Sequence, residues 1–152
     1  MKKFQFRLQS LLNYKCHLEQ IAKQAMAQAV ADVLACEQRI AGLQGDKISA
    51  VEQLEVLVEK GIGAGQFNRH RQFITAVDQM ITLERSRKAE LEKILEQKRQ
   101  DLQKRTIDKK SLERLREKQA LEHTHEMLRE EQKILDETSS LRTAREVNNE
   151  RI

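Results

Sequence analysis

The sequence contains no proline in 152 residues, and this absence constrains the fold more than any other single feature. Proline ends or kinks helices because it lacks an amide hydrogen and its ring clashes with the preceding turn. Charged residues make up 34% of the chain and aromatic residues only 3%. Such a composition, rich in Ala, Leu, Glu, Gln, Lys and Arg, is typical of coiled coils and long helices. We therefore predict an elongated all-α protein with a thin apolar seam.

Residues spaced alternately by three and four form one mainly apolar stripe in each half of the chain. The first stripe comprises Leu8, Leu11, Lys15, Leu18, Ala22, Ala25, Ala29, Val33, Cys36, Ile40, Leu43, Lys47, Val51, Leu54 and Val58. The second comprises Ile74, Val77, Ile81, Glu84, Lys88, Leu91, Leu95, Lys98, Leu102, Arg105, Lys109 and Leu112. This heptad spacing predicts two long helices that pack along the stripes. The alanines of the first stripe would allow a partner helix to approach closely.

The segment EKGIGAGQ (59–66) is the one stretch with turn-forming composition between the two stripes. A short connection between long helices makes them antiparallel neighbours. We predict a single α-hairpin over 1–152, with arm one at about 3–58, a turn at about 59–70 with room for a short extra helix, and arm two at about 71–146. A turn centred near residue 65 would leave positions beyond about 126 as a C-terminal overhang.

The few aromatic residues lie near the ends of the predicted hairpin. Phe67 and Phe73 lie at the tip, and Phe4, Phe6 and Tyr14 lie at the open end. Exposed aromatic residues there favour contacts with a partner. The overhang continues an apolar repeat through Met127, Leu128, Ile134, Leu135 and Leu141. An unpartnered apolar repeat predicts docking onto another protein, with a shifted turn or self-association as the alternatives.

No motif in the sequence predicts catalysis. GIGAG has the glycines of a phosphate loop, but neither a preceding strand nor a following Lys-Ser/Thr pair. His123 and His125 are two residues apart, so on a helix they point to different faces and do not form a metal site. We predict no enzymatic activity, no cofactor and no metal.

Charge and hydropathy set the expected location and the remaining alternatives. The net charge is +4, and because acidic residues are interleaved with basic ones we predict no nucleic-acid binding, with a basic scaffold or nucleic-acid binder kept as the alternative class. No apolar run approaches the roughly 20 residues needed to span a bilayer. The basic start lacks the apolar region of a signal peptide. We expect a cytoplasmic protein.

The start of the chain, FQFRLQSLLNYKCHLEQIAKQAMAQA (4–29), has an F-x-F-R-L-Q-x-L-L pattern followed by an Ala/Gln/Glu-rich helix. This segment resembles the opening of the FliJ family of flagellar export proteins, and two further segments are similar to other parts of that family. RQFITAVDQMI (71–81) resembles the aromatic segment after the turn. The stretch KKSLERLREKQALEHTHEMLREEQKILDE (109–137) resembles the charged end of the second helix.

The resemblance implies a non-enzymatic, stalk-like antiparallel coiled coil of the flagellar type III protein export apparatus. Family members bind the hexameric export ATPase FliI, with their paired termini pointing into the ring, and the cytoplasmic part of the export gate protein FlhA. Some also contact export chaperones. The implied role is to couple ATP hydrolysis to export, at the cytoplasmic side of the inner membrane. The alternative within this class is the equivalent stalk protein of an injectisome.

The family's gate-contacting positions carry over to this chain one by one. They correspond to Phe73, Val77, Met80 and Glu84, and the last departs from the histidine of some relatives. For ATPase binding we predict apolar residues at the open end and in the overhang. These are Phe4, Phe6, Leu8, Leu11, Leu12, Leu128 and Leu135.

Overall fold

The computed structural model describes residues 3–150 and contains two helices, α1 (Gln9–Lys60) and α2 (Ala64–Asn149). The two long helices pack against each other, and no strand occurs in the described residues, so the predicted all-α hairpin is confirmed. The chain divides into two compact units. Unit 1 comprises Met1–Leu18 with Thr106–Ile152, and unit 2 comprises Glu19–Arg105. That residues 1–152 form one domain stays a prediction.

The turn is much shorter than the sequence suggested. Helix α1 ends at Lys60, and Gly61 follows with a φ of 81°, the left-handed conformation that glycine adopts most easily. The Gly61 amide donates to the Val58 carbonyl (3.1 Å), and the Gly63 carbonyl accepts from the Phe67 amide (3.1 Å). Residues 61–63 therefore replace the predicted turn of 59–70. Within 3–150 there is no separate short helix near the turn, because α2 begins at Ala64 and continues unbroken.

The shorter turn shifts the pairing of the two helices. A turn centred near residue 65 would place Lys15 opposite a position near 115, yet its ammonium contacts Asp108 (3.4 Å). The difference is about two helical turns. It follows from moving the centre of the turn toward Ile62, since each residue of shift in the centre displaces the facing position by two.

The predicted stripes match the buried faces closely. Every position of the second stripe, from Ile74 to Leu112, is buried or half-buried. The first stripe departs from the buried face at its two ends, where Leu8, Leu11 and Val58 are exposed. Leu8 precedes the first residue of α1, so the helical spacing does not extend to it. Leu12 is buried in the first turns of α1 instead.

Candidate functional site

Ion pairs join the two helices of unit 2. Lys47 Nζ lies 2.6 Å from Asp78 Oδ1, and Lys88 Nζ lies 3.2 Å from Glu37 Oε1. The hydrogen bond to Glu37 and the charge of that carboxylate raise the pKa of Lys88 above its ordinary value. Exposed pairs of this kind add little stability, but they disfavour shifted pairings of the helices.

A fully buried thiol lies at the centre of unit 2. Cys36 Sγ is 3.4 Å from both the backbone oxygen and a carboxylate oxygen of Glu84. The same carboxylate receives Arg39 Nε at 3.6 Å. Glu84 is therefore engaged by α1, which makes it part of the helix-pairing seam rather than a free surface group. The sequence placed both residues on the stripes but gave no signal for their contact.

The four gate positions are split by the helix pairing. Phe73 and Met80 are 53% and 54% exposed, whereas Val77 is only 4% exposed. Val77 packs in the seam of unit 2, as its place on the second stripe indicates, and Glu84 lies at the edge of that seam. Leu83 is exposed three residues after Met80, and neither the stripe nor the family pattern included it. We call Phe73, Met80 and Leu83 the Phe73 surface.

The N-terminal residues that were predicted to bind the ATPase also divide into a packed group and an exposed group. Phe6 and Leu12 are buried, and Phe4 is half-buried with its ring 5.8 Å from that of His123 on α2. These side chains stabilise unit 1 by burying apolar area. Leu8 and Leu11 remain exposed in the same unit.

The end of α2 has no helix packed against it within the described residues. Met127 is half-buried, close to the predicted limit of about 126, and every residue from 128 to 150 is exposed. This C-terminal segment (128–149) is helical to Asn149 and presents five large apolar side chains. They are Leu128, Ile134, Leu135, Leu141 and Val147.

The arrangement favours binding over chemistry. Exposed apolar side chains include those of the Phe73 surface, Leu8 with Leu11, and those of the C-terminal segment. In residues 3–150, neither helix is apolar enough over a sufficient length to cross a membrane. Such surfaces are suited to docking other proteins.

Of three comparisons with known proteins, one gave a match. The sequence model of the flagellar FliJ protein family matches residues 4–148. No curated protein and no solved structure matches the chain. The family match therefore covers α1, the turn and α2 up to residue 148.

Proposed function

Since this chain belongs to the flagellar FliJ protein family, we propose that it is a stalk-like adaptor that links the export ATPase to the export gate. Membership makes it a flagellar protein with a role in export, in a family of non-catalytic export components. The proposal adds two binding partners and a mechanical connection between them. The observation that carries it is the exposed apolar side chains of a helix that continues past its pairing partner.

We assign ATPase binding to unit 1. The C-terminal segment is an exposed helix whose leucine and isoleucine side chains have no packing partner in residues 3–150. A helix with an apolar stripe binds by laying that stripe into a groove of its partner. Leu8 and Leu11 add exposed apolar area in the same unit, whereas Phe6 and Leu12 are buried and hold the helices together. Leu8, Leu11, Leu128 and Leu135 are the proposed contacts, together with the half-buried Phe4.

We assign gate binding to the Phe73 surface of unit 2. Phe73 and Met80 offer an aromatic ring and a flexible thioether, both well suited to a protein interface. Val77 and Glu84 support them from the seam, because one packs and the other binds Cys36 and Arg39. Replacing Val77 would therefore disturb the Phe73 surface indirectly, by disrupting the packing of the seam in unit 2.

The two assignments define how the adaptor works without chemistry of its own. ATP hydrolysis changes the ATPase, and the adaptor passes that change to the gate because it holds both partners at once. It acts at the cytoplasmic side of the inner membrane through the export apparatus. Export chaperones are a further proposed class of partner.

The ATPase assignment is tested by mixing the chain with purified flagellar export ATPase and measuring hexamer formation and hydrolysis rate. The native chain should increase both. Leu128→Ala with Leu135→Ala should weaken the effect at least tenfold, while Ile107→Ala, an exposed apolar residue in the paired part of unit 1, should not. No stimulation by the native chain would refute the assignment.

The gate assignment is tested by titrating the chain against the cytoplasmic domain of the gate protein. Phe73→Ala with Met80→Ala should weaken binding about tenfold or more, because interface anchors of this type contribute about 1–2 kcal/mol each. Ile94→Ala, another exposed apolar residue of α2, is the matched control. If the double variant bound the gate domain as tightly as the Ile94→Ala control, the gate site would not lie on the Phe73 surface.

Two alternative functions give different outcomes in the same experiments. An injectisome stalk protein would stimulate an injectisome ATPase in preference to the flagellar enzyme, and the family match favours the flagellar one. A nucleic-acid-binding scaffold would bind oligonucleotides with an affinity that falls steeply with salt and would leave ATPase activity unchanged.

A further inference from the structure

The outer face of α1 in unit 2 is apolar and has no helix against it in the described residues. Val30, Leu34 and Ile48 are exposed, the last two by 53% and 60%. At about 100° per residue, they fall within roughly 60° of arc on the side of α1 opposite the buried Cys36. Between residues 24 and 51 the only charged side chain near this arc is Glu37. We call this the α1 outer face.

The other positions on this arc make the face complementary to itself. Small residues occupy Ala27, Ala41 and Gly45, all exposed, and the space beside Gly45 is open. If a second α1 runs antiparallel with the two-fold axis between residues 37 and 38, each large side chain meets a small one. The facing pairs are then Leu34 with Ala41, Val30 with Gly45, and Ile48 with Ala27.

Charges continue the same complementarity beyond the apolar centre. In this alignment Lys23 of one copy faces Glu52 of the other, and the symmetric pair repeats the contact. Lys23 already contacts Glu19 of its own helix (2.6 Å), and its ammonium has further donors for Glu52. Glu37 lies near the two-fold axis, where its own counter-ion Lys88 neutralises it.

We propose that the α1 outer face binds the same face of a second copy of this chain, as an antiparallel, two-fold symmetric homodimer. An isologous interface requires one patch that is complementary to itself, and this one matches in both size and charge. The face from Lys23 to Glu52 extends about 45 Å along the helix. Small residues at the contact allow two helix axes to approach closely.

A second copy is favoured over an unrelated partner because the pattern is symmetric about its own centre. A foreign helix would require no such correspondence between residues 23–34 and 41–52. The residues involved are separate from the Phe73 surface and from the C-terminal segment, so the dimer goes beyond the proposed function and uses different side chains.

Analytical ultracentrifugation of the full chain over a concentration series tests association directly. The native chain should show a reversible monomer–dimer equilibrium. Leu34→Glu should raise the dimer Kd at least tenfold, because it places two carboxylates in the interface. Ile94→Glu makes the same type of change at an exposed position of α2 and should leave Kd unchanged. Circular dichroism should show native helicity for both variants.

The charge pair provides a test that does not depend on lost stability. Glu52→Lys places lysine opposite lysine, and Lys23→Glu places glutamate opposite glutamate, so each variant alone should dimerise poorly. Mixed together they should form a heterodimer, since at both ends of the interface a lysine of the first variant then faces a glutamate of the second. Failure of the mixture to associate would contradict the alignment.

Crosslinking fixes the direction of the two helices. In a Cys16→Ser background, chains with Ala27→Cys and Ile48→Cys should crosslink to each other when mixed, and poorly to themselves. Preferential crosslinking of each variant to itself would indicate a parallel arrangement and overturn the proposal. A chain that stays monomeric up to about 1 mM, or a dimer unaffected by Leu34→Glu, would also overturn it.

Discussion

Unit 2 and the C-terminal segment contain apolar residues at similar helical spacing, with opposite results. In unit 2, Val77 and Ile81 of α2 are buried against α1. In the C-terminal segment, Ile134 and Leu141 repeat at a helical interval and are exposed. Spacing thus predicts which residues share a helix face, but not whether that face has a partner in the same chain. Where it has none, the apolar residues are available for another protein.

The largest expected effect contrasts one substitution in each region. Ile81→Asp should lower the free energy of unfolding by about 3 kcal/mol or more, because it buries a carboxylate in an apolar seam. Leu135→Asp should change it by less than about 0.5 kcal/mol, since that side chain already meets solvent. Urea unfolding followed by circular dichroism measures both values. Similar losses would mean that the C-terminal segment is packed in solution.

A smaller pair of effects separates the turn glycine from a glycine inside a helix. Gly61→Ala should destabilise the chain by about 1–2 kcal/mol, because the φ of 81° strains any residue with a Cβ. Gly45→Ala should stabilise it by up to about 1 kcal/mol, because alanine favours the helix and its Cβ meets no atom within 4 Å. Thermal unfolding, at a concentration that keeps the chain monomeric, should show a lower unfolding temperature for Gly61→Ala and a higher one for Gly45→Ala. The same sign for both would contradict the turn geometry.

The smallest effects concern ion pairs. Lys47→Met removes a contact between the two helices of unit 2 and should cost about 0.2–1 kcal/mol of unfolding free energy. Arg142→Met removes a contact with Glu146 inside the C-terminal segment (3.3 Å) and should leave the unfolding midpoint unchanged. The Lys47 effect should shrink at high salt because screening weakens exposed pairs. An equal loss from Arg142→Met would show that the two regions unfold together.

Most of the fold was predictable because helical periodicity is a local property. The second stripe was correct from Ile74 to Leu112, including charged positions such as Lys88 and Arg105. The errors lay at boundaries. The position of the turn at 61–63 depends on which glycine adopts the left-handed conformation, and composition alone did not distinguish Gly61 from Gly63 or Gly65. The first arm was expected to begin at about residue 3, whereas α1 begins at Gln9.

The candidate sites were only partly predictable. The sequence located Phe73 and Met80 off the stripe, and the structure exposes both. It also grouped Phe6 and Leu12 with Leu8 and Leu11, although the first two are buried and the others are not. Exposure before the first full turn of a helix depends on how the chain enters it, which heptad spacing does not describe. Their binding roles stay predictions.

Because the unpaired end of α2 is already helical, a partner protein can bind it without first having to fold it. Starting a helix in water is costly because several residues must be fixed for the first hydrogen bond, whereas extending an existing helix is not. The C-terminal segment extends a helix already formed in unit 1, so a partner meets a preformed ligand. Its capture should therefore lack the large heat-capacity change that accompanies folding of a disordered segment on binding.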